Sequence, residues 1–216
     1  MDSTQIGFAI MQAASQRWSG LKLRFEAMPW LRCLRDVAAG EQDAVMGASI
    51  TAERASTMVF PALADGSEDR SKRMYSLGYV LLRPRGSSLS WDGQQFRNLQ
   101  GALGAQHGYS IAEHVRAMGL KVDDGALTAA ALLKKFELGR VEGLLMSQSH
   151  MAGRTTPPEW PEGAELAGPP LLQKNYFLAF SKAFMQQYAS QARQLWQAVE
   201  QARDSEDMRR RFVLND

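Results

Sequence analysis

Helices and strands alternate along most of this 216-residue chain, and that alternation predicts an α/β fold with largely parallel sheets. A second observation predicts two similar halves. "LRDVAAGEQDAVMGAS" and "LKKFELGRVEGLLMSQ" share one layout. Each is a leucine-led helix, a stopping glycine (Gly40, Gly139), three linking residues and an apolar strand that ends in a polar loop. Aligned on the glycines, Ser49 falls opposite Gln148. Two such halves, each ending a strand in a polar loop, are expected to form two lobes, the alternative being that any two βαβ units share this layout. Open α/β sheets bind ligands at the carboxyl ends of their strands. Two of those edges facing each other would enclose a cleft. The third observation is composition: 45% hydrophobic and 22% charged residues are ordinary for a globular protein.

The elements follow in order. Ile6, Ile10, Ala13, Ala14 and Trp18 recur at helical spacing, and Gly20 stops the helix. "LKLRFEAM" alternates Leu21, Leu23, Phe25 and Ala27 with Lys22, Arg24 and Glu26, the pattern of a strand with one buried face. Pro29 opens a helix through "WLRCLRDVAA", and Gly40 ends it. "AVMGA" is a strand, and a helix is expected from about Ala52. "YSLGYVLLRP" is a further strand, and "RGSSLSWDGQQFRN" a polar connection. "ALGA" and "LKV" are short strands around the helix "IAEHVRAM". "LTAAALLKKFEL" is a helix and "VEGLLMS" a strand. "RTTPPEWPEGAELAGPP" reads as a proline-rich loop, "NYFLAFS" as a strand, and about Ala183 to Arg211 as a long helix.

Several function classes recede. The 25 basic and 23 acidic residues leave a net charge of +2, which gives no reason to expect nucleic acid. The run Arg209-Arg210-Arg211 reads as a solvated helix end. Cys33 is the sole cysteine, so no internal disulfide forms, and no histidine neighbours it in sequence to activate it. No apolar run is long enough to span a membrane, and the N-terminus lacks the pattern of a secretory signal. The histidines are His107, His114 and His150, with no metal-ligand spacing, and no serine nucleophile elbow occurs.

The stretch "GASITAERA" gathers two hydroxyls and an arginine, Ser49, Thr51 and Arg54, where a strand ends. A guanidinium stays charged and offers a planar fork of donors that matches a carboxylate. Hydroxyls add donors at the remaining lone pairs. A structural role is open beside this one: Arg54 pairing with Glu53, and Ser49 or Thr51 capping the helix that follows. "HGYS" places Gly108, Tyr109 and Ser110 at a helix start, where backbone N–H groups suit an anion or Ser110 simply caps. His107 is open between lining the cleft and lining only the turn, and His114 is expected to be exposed.

"FEAMPWLRCLRDVAAGEQDAVMGASITAERASTMVFP" resembles the family 3 bacterial extracellular solute-binding proteins, the amino-acid-type substrate-binding components of ABC transporters. "GYS", "LGRVEGLLMS" and "GPPLLQKNYFLAFSK" extend the likeness in the family order. The resemblance implies a type II periplasmic-binding fold, with residues 1–78 and 178–216 in lobe 1 and 83–173 in lobe 2. Residues 79–82 and 174–177 would be the hinge crossings. It implies that the Ser49, Thr51 and Arg54 loop holds a solute carboxylate, with Gly108, Tyr109, Ser110, Ser147 and Gln148 as further ligand contacts. It implies no cofactor, a periplasmic location, and an ABC permease as partner. An enzyme of the dehydratase kind and a sensory module are the alternatives on the same fold. Two departures stand out. Family amino-acid binders carry an aspartate after the strand equivalent to "GLLM", whereas this chain has Ser147, Gln148 and Ser149. The family's first strand, ahead of the helix containing Gly7-Phe8, is expected to be missing from lobe 1.

Overall fold

The computed structural model describes residues 3–18, 21–147 and 161–211. The chain divides into two compact units, Met1–Leu77 with Lys174–Asp216, and Gly78–Gln173. Both are α/β.

Unit 1 is built from α1 (Ser3–Gln16), α2 (Trp30–Ala38), β1 (Ala44–Ala48), α3 (Ala52–Thr57) and β2 (Met58–Val59). A 3-10 turn (Arg70–Lys72) and the start of β3 (Tyr75–Pro84) follow. The chain returns to this unit through β10 (Leu172–Ser181), α6 (Lys182–Arg203) and α7 (Glu206–Arg211). β1 and β2 each pair antiparallel with β10. The strand alternation sends Leu178 and Phe180 to one face, where α1 (Ile6, Ile10, Met11) and α6 (Leu195, Trp196, Val199) cover them. Ala179 faces the other way, into a cluster with Val37 of α2, Val45 and Met58. The Trp196 indole donates to Leu178 O at 2.8 Å, so the large ring is buried with its one polar atom satisfied.

Unit 2 contains the rest of β3, then β4 (Ser90–Trp91), β5 (Phe96–Arg97), β6 (Leu103–Gln106), α4 (Ser110–Ala117), β7 (Val122–Ala126), α5 (Ala129–Glu137), β8 (Gly143–Ser147) and β9 (Ala164–Leu166). β6 pairs parallel with both β7 and β8. β3 pairs antiparallel with β8 and β9. Both faces of this sheet are buried, which is why "YVLL" and "GLLM" read as continuous apolar runs. Tyr79, Leu81 and Leu145 pack under Ile111 and Val115 of α4. Val80, Leu82, Leu144 and Met146 pack under Leu132 and Phe136 of α5. Each fully buried leucine contributes about 1.5–3 kcal/mol of transfer free energy.

Some expectations need correction. "LKLRFEAM" is not a strand: residues 21–29 carry no ladder. Among the described residues β1 pairs with β10 alone, so no neighbouring strand offers this segment hydrogen bonds. Leu21 and Leu23 still pack on the unit 1 core, while Phe25 is exposed and meets Phe8 edge-on. The polar connection after β3 holds a small hairpin, β4 on β5. The proline-rich stretch contains β9, with Leu166 opposite Leu82. The C-terminal helix is two, α6 and α7, and α6 kinks at Tyr188 (φ −129°, ψ 36°). The ladders are also mixed: among the described residues β6 makes parallel pairs in unit 2, while β1 and β2 pair antiparallel in unit 1. Gly40 and Gly139 do end helices, at φ 77° and 66°, the left-handed conformation that a helix C-terminus favours in glycine.

Candidate functional site

β1 delivers the Ser49–Arg54 loop. Val45 and Ala48 both lie in the cluster under α2, although they are three residues apart and a regular strand would place them on opposite faces. A bulge resolves this. Ala44 pairs with Phe180 and Val45 with Ala179, but Ala48 pairs with Phe177, so Met46 and Gly47 together oppose Leu178. Gly47 sits at φ 73°, where an L side chain is strained.

Past the bulge the three expected residues come together. Thr51 is the N-cap of α3, and its hydroxyl oxygen accepts from Arg54 N–H at 3.3 Å. The Arg54 side chain turns back along the loop. Its Nη1 donates to Ser49 O at 2.9 Å and to Ser49 Oγ at 3.0 Å. Arg54 is 7% exposed and Ser49 2%. The guanidinium carbon lies 5.4 Å from the centre of the Trp30 ring, a cation–π distance. Capping by Thr51, one of the two roles left open by the sequence, is therefore present, and it uses the hydroxyl as an acceptor, so its hydrogen can still donate. Trp30, Gly47 and Tyr75 were not identified as site residues from sequence. Tyr75 closes on the loop from β3: a Cβ built on Gly47 would fall 2.3 Å from the Tyr75 hydroxyl. The signals for them were faint, a tryptophan at the first position of α2 and a glycine inside a short strand.

In unit 2, β6 and β8 run parallel, so His107 to Ser110 and Ser147 lie at the same carboxyl edge of the sheet. Gly108 has φ 76° and turns the chain into α4. The cap is Tyr109, not Ser110: Tyr109 has extended backbone without a side-chain capping bond, and Ser110 is the first helical residue, 4% exposed. Ser147 is 7% exposed and pairs across the ladder with Tyr79. The His107 ring is held by Nδ1, which donates to Asp124 O at 2.9 Å. That bond places the proton on Nδ1 in the neutral ring. His114 is exposed, as expected. Gln148, Ser149 and His150 lie outside the described residues.

The Cys33 thiol contacts Met28 O at 3.6 Å, and burial pushes its pKa up, away from nucleophilic reactivity. Among the described residues no group of three His, Cys, Asp or Glu side chains is placed to hold a metal. No helix among them is long and apolar enough to cross a membrane.

No family model matches the sequence, and no curated protein matches it. Solved structures do match. An ancestral arginine-binding protein bound to arginine superimposes with a TM-score of 0.69 at 18% identity, covering 95% of this chain and 84% of that one. The substrate-binding protein of an amino acid ABC transporter gives 0.67 at 15% identity, with 95% and 84% covered. The GluR0 ligand-binding core from Nostoc punctiforme, in complex with L-glutamate, gives 0.63 at 13% identity, with 91% and 82% covered. All three are binding proteins. At these identities the likeness is one of fold, and the chain has the two-lobed α/β fold of the solute-binding proteins.

Proposed function

We propose that the protein reversibly captures a small polar solute bearing a carboxylate, an amino acid or a relative of one, and performs no chemistry on it. The observation that carries this reading is the buried Arg54. A guanidinium 7% exposed is costly to keep in a fold unless its donors are used. Here Nη1 is committed to Ser49 and the ring of Trp30 backs the cation. The planar fork of the group suits a carboxylate. Ser49 and Thr51 add hydroxyls beside it. In unit 2 the reading assigns Gly108, Tyr109, Ser110, Ser147 and Gln148 to solute contact. Ser147 to Ser149 supply no carboxylate to an ammonium group, so deaminated or amidated acids are candidates alongside α-amino acids.

The proposal extends to delivery of the solute to an ABC permease in the periplasm, and likeness to a transporter component supports that extension. A second reading, a ligand-binding core that reports occupancy instead of delivering solute, draws on the likeness to the GluR0 core. Uptake of labelled solute by cells with and without the gene separates the two. The binding itself is tested by a thermal-shift screen of L-arginine, L-glutamine, L-glutamate and their deaminated acids, followed by titration calorimetry. The expected result is one site per chain. A hundredfold excess over Kd adds about 2.7 kcal/mol of stability. Absence of any shift across carboxylates, with shifts from neutral sugars or cations instead, contradicts the reading.

A further inference from the structure

The binding reading depends on Ser49 and Arg54 meeting in one geometry, and the β1 bulge sets that geometry. A strand has a side-chain period of two, so a one-residue slip sends everything after it to the other face. Met46 and Gly47 supply that slip opposite Leu178. If the bulge relaxed, Ser49 would leave the strand in a different direction and its carbonyl would part from Arg54.

We propose that Tyr75 is the positioning residue of this loop, its hydroxyl filling the place a Gly47 side chain would take and holding the bulge in the shape that brings Ser49 to Arg54. Three observations converge. The bulge residue has φ 73° and no side chain to anchor it. The Tyr75 hydroxyl stands 2.3 Å from the position of a Cβ on Gly47, with ring Cζ at 3.4 Å. The hydroxyl is itself fixed, because Tyr75 is 5% exposed and its ring stacks on Tyr176 with centroids 5.3 Å apart and planes 23° apart. β3 and β10 thus brace the end of β1 through a side chain that need not touch the solute. The inference deepens the proposed binding function and rests on it.

The geometry supplies its own test. A methyl group at position 47 cannot coexist undisturbed with the Tyr75 hydroxyl, but with that oxygen removed the methyl would meet the ring at 3.4 Å, an ordinary contact. Gly47→Ala, Tyr75→Phe and the double variant form a cycle. The probes are L-arginine, L-glutamine and L-glutamate by calorimetry, with urea unfolding to correct for the folded fraction. Gly47→Ala is expected to bind at least about tenfold more weakly than the parent. The double variant should recover at least about fivefold of that loss, although alanine still occupies a left-handed position. A general loss of stability would not produce recovery of affinity in the double variant. Tyr75→Phe alone is expected to bind several-fold more weakly than the parent, because the hydroxyl that fills the bulge is gone. Affinity unchanged in Gly47→Ala or in Tyr75→Phe, or no recovery in the double variant, overturns the proposal. If the parent binds none of the three probes and none of their deaminated acids, the binding reading has failed instead. The positioning role is then decided by crystal structures of the same variants. It predicts an Arg54 Nη1–Ser49 O separation lengthened beyond hydrogen-bond range in Gly47→Ala and restored in the double variant, and an unchanged separation in Gly47→Ala overturns it.

Discussion

Replacing Arg54 by methionine separates what this residue does for the fold from what it does for binding. Methionine keeps an unbranched apolar stem, and it removes the charge and every donor. Two bonds to Ser49 disappear, at 2.9 and 3.0 Å. A hydrogen bond from a charged donor contributes about 1.5–3 kcal/mol net. They share one nitrogen and one acceptor residue, so they count for less than twice that value. Loss of the cation over Trp30 adds about 0.5–1 kcal/mol. The expected destabilisation is therefore about 2–4 kcal/mol. For a chain of this length that is roughly 4–16 °C in Tm, at about 2–4 °C per kcal/mol. Binding should suffer more. Removing one partner of a desolvated charge pair costs about 3–5 kcal/mol, a hundred- to several-thousand-fold in Kd. Arg54→Lys should fall between the two, since it keeps the charge and loses the fork. Urea unfolding followed by circular dichroism gives the first quantity, and calorimetry at a temperature where both variants are folded gives the second. An Arg54→Met protein that binds within about threefold of the parent, per folded molecule, refutes the clamp.

Other expectations follow from the same structure. Gly168→Ala should destabilise unit 2 by more than about 2 kcal/mol, because φ is 140° and a Cβ would lie 2.0 Å from Trp91 O, a backbone atom that cannot swing away; an unchanged urea midpoint would contradict the placement of the 161–168 segment against β4. Stability should fall in acid. Asp36 is held below the usual carboxylate range chiefly by its hydrogen bond from Arg35, Asp123 by that from Lys135, and Asp204 by that from Arg203. Each has a folded pKa below its unfolded value of about 3.8, so its contribution is present above that value and is lost as pH falls through the folded pKa. Unfolding free energy measured from pH 6 down to pH 2 should decline mainly below about pH 4, and Asp123→Asn should flatten that decline. An identical pH profile in the variant would show that the Lys135 pair, at 2.6 and 2.8 Å, is not formed in solution.

Much of this architecture was legible in the sequence because its elements obey local rules. "YVLL" and "GLLM" bury both faces and read as strands at once. Gly40 and Gly139 mark helix ends through a backbone conformation that only glycine adopts cheaply. "LKLRFEAM" misled because alternation reports which side chains are apolar, and a strand also needs a hydrogen-bonded neighbour. β9 was hidden for the opposite reason: Ala164, Glu165 and Leu166 are only three residues between glycine- and proline-rich flanks, and β3 recruits them through its backbone. At the candidate site, Ser49, Thr51 and Arg54 could be grouped because they are close in sequence. Tyr75 and Trp30 could not, since each comes from a different element, and the link between Tyr75 and Gly47 is a distance across strands. The Gly47 bulge shows in sequence only as one glycine, and its register needs the β10 partner to define it.

The central claim is that the Ser49–Arg54 loop receives the carboxylate of a small solute. A crystal structure of the protein with the tightest-binding acid from the screen tests it most directly. The account expects a carboxylate oxygen within about 3 Å of an Arg54 guanidinium nitrogen, with the Ser49 or Thr51 hydroxyl close enough to donate. A well-ordered ligand whose carboxylate lies more than about 4 Å from all three residues would contradict it.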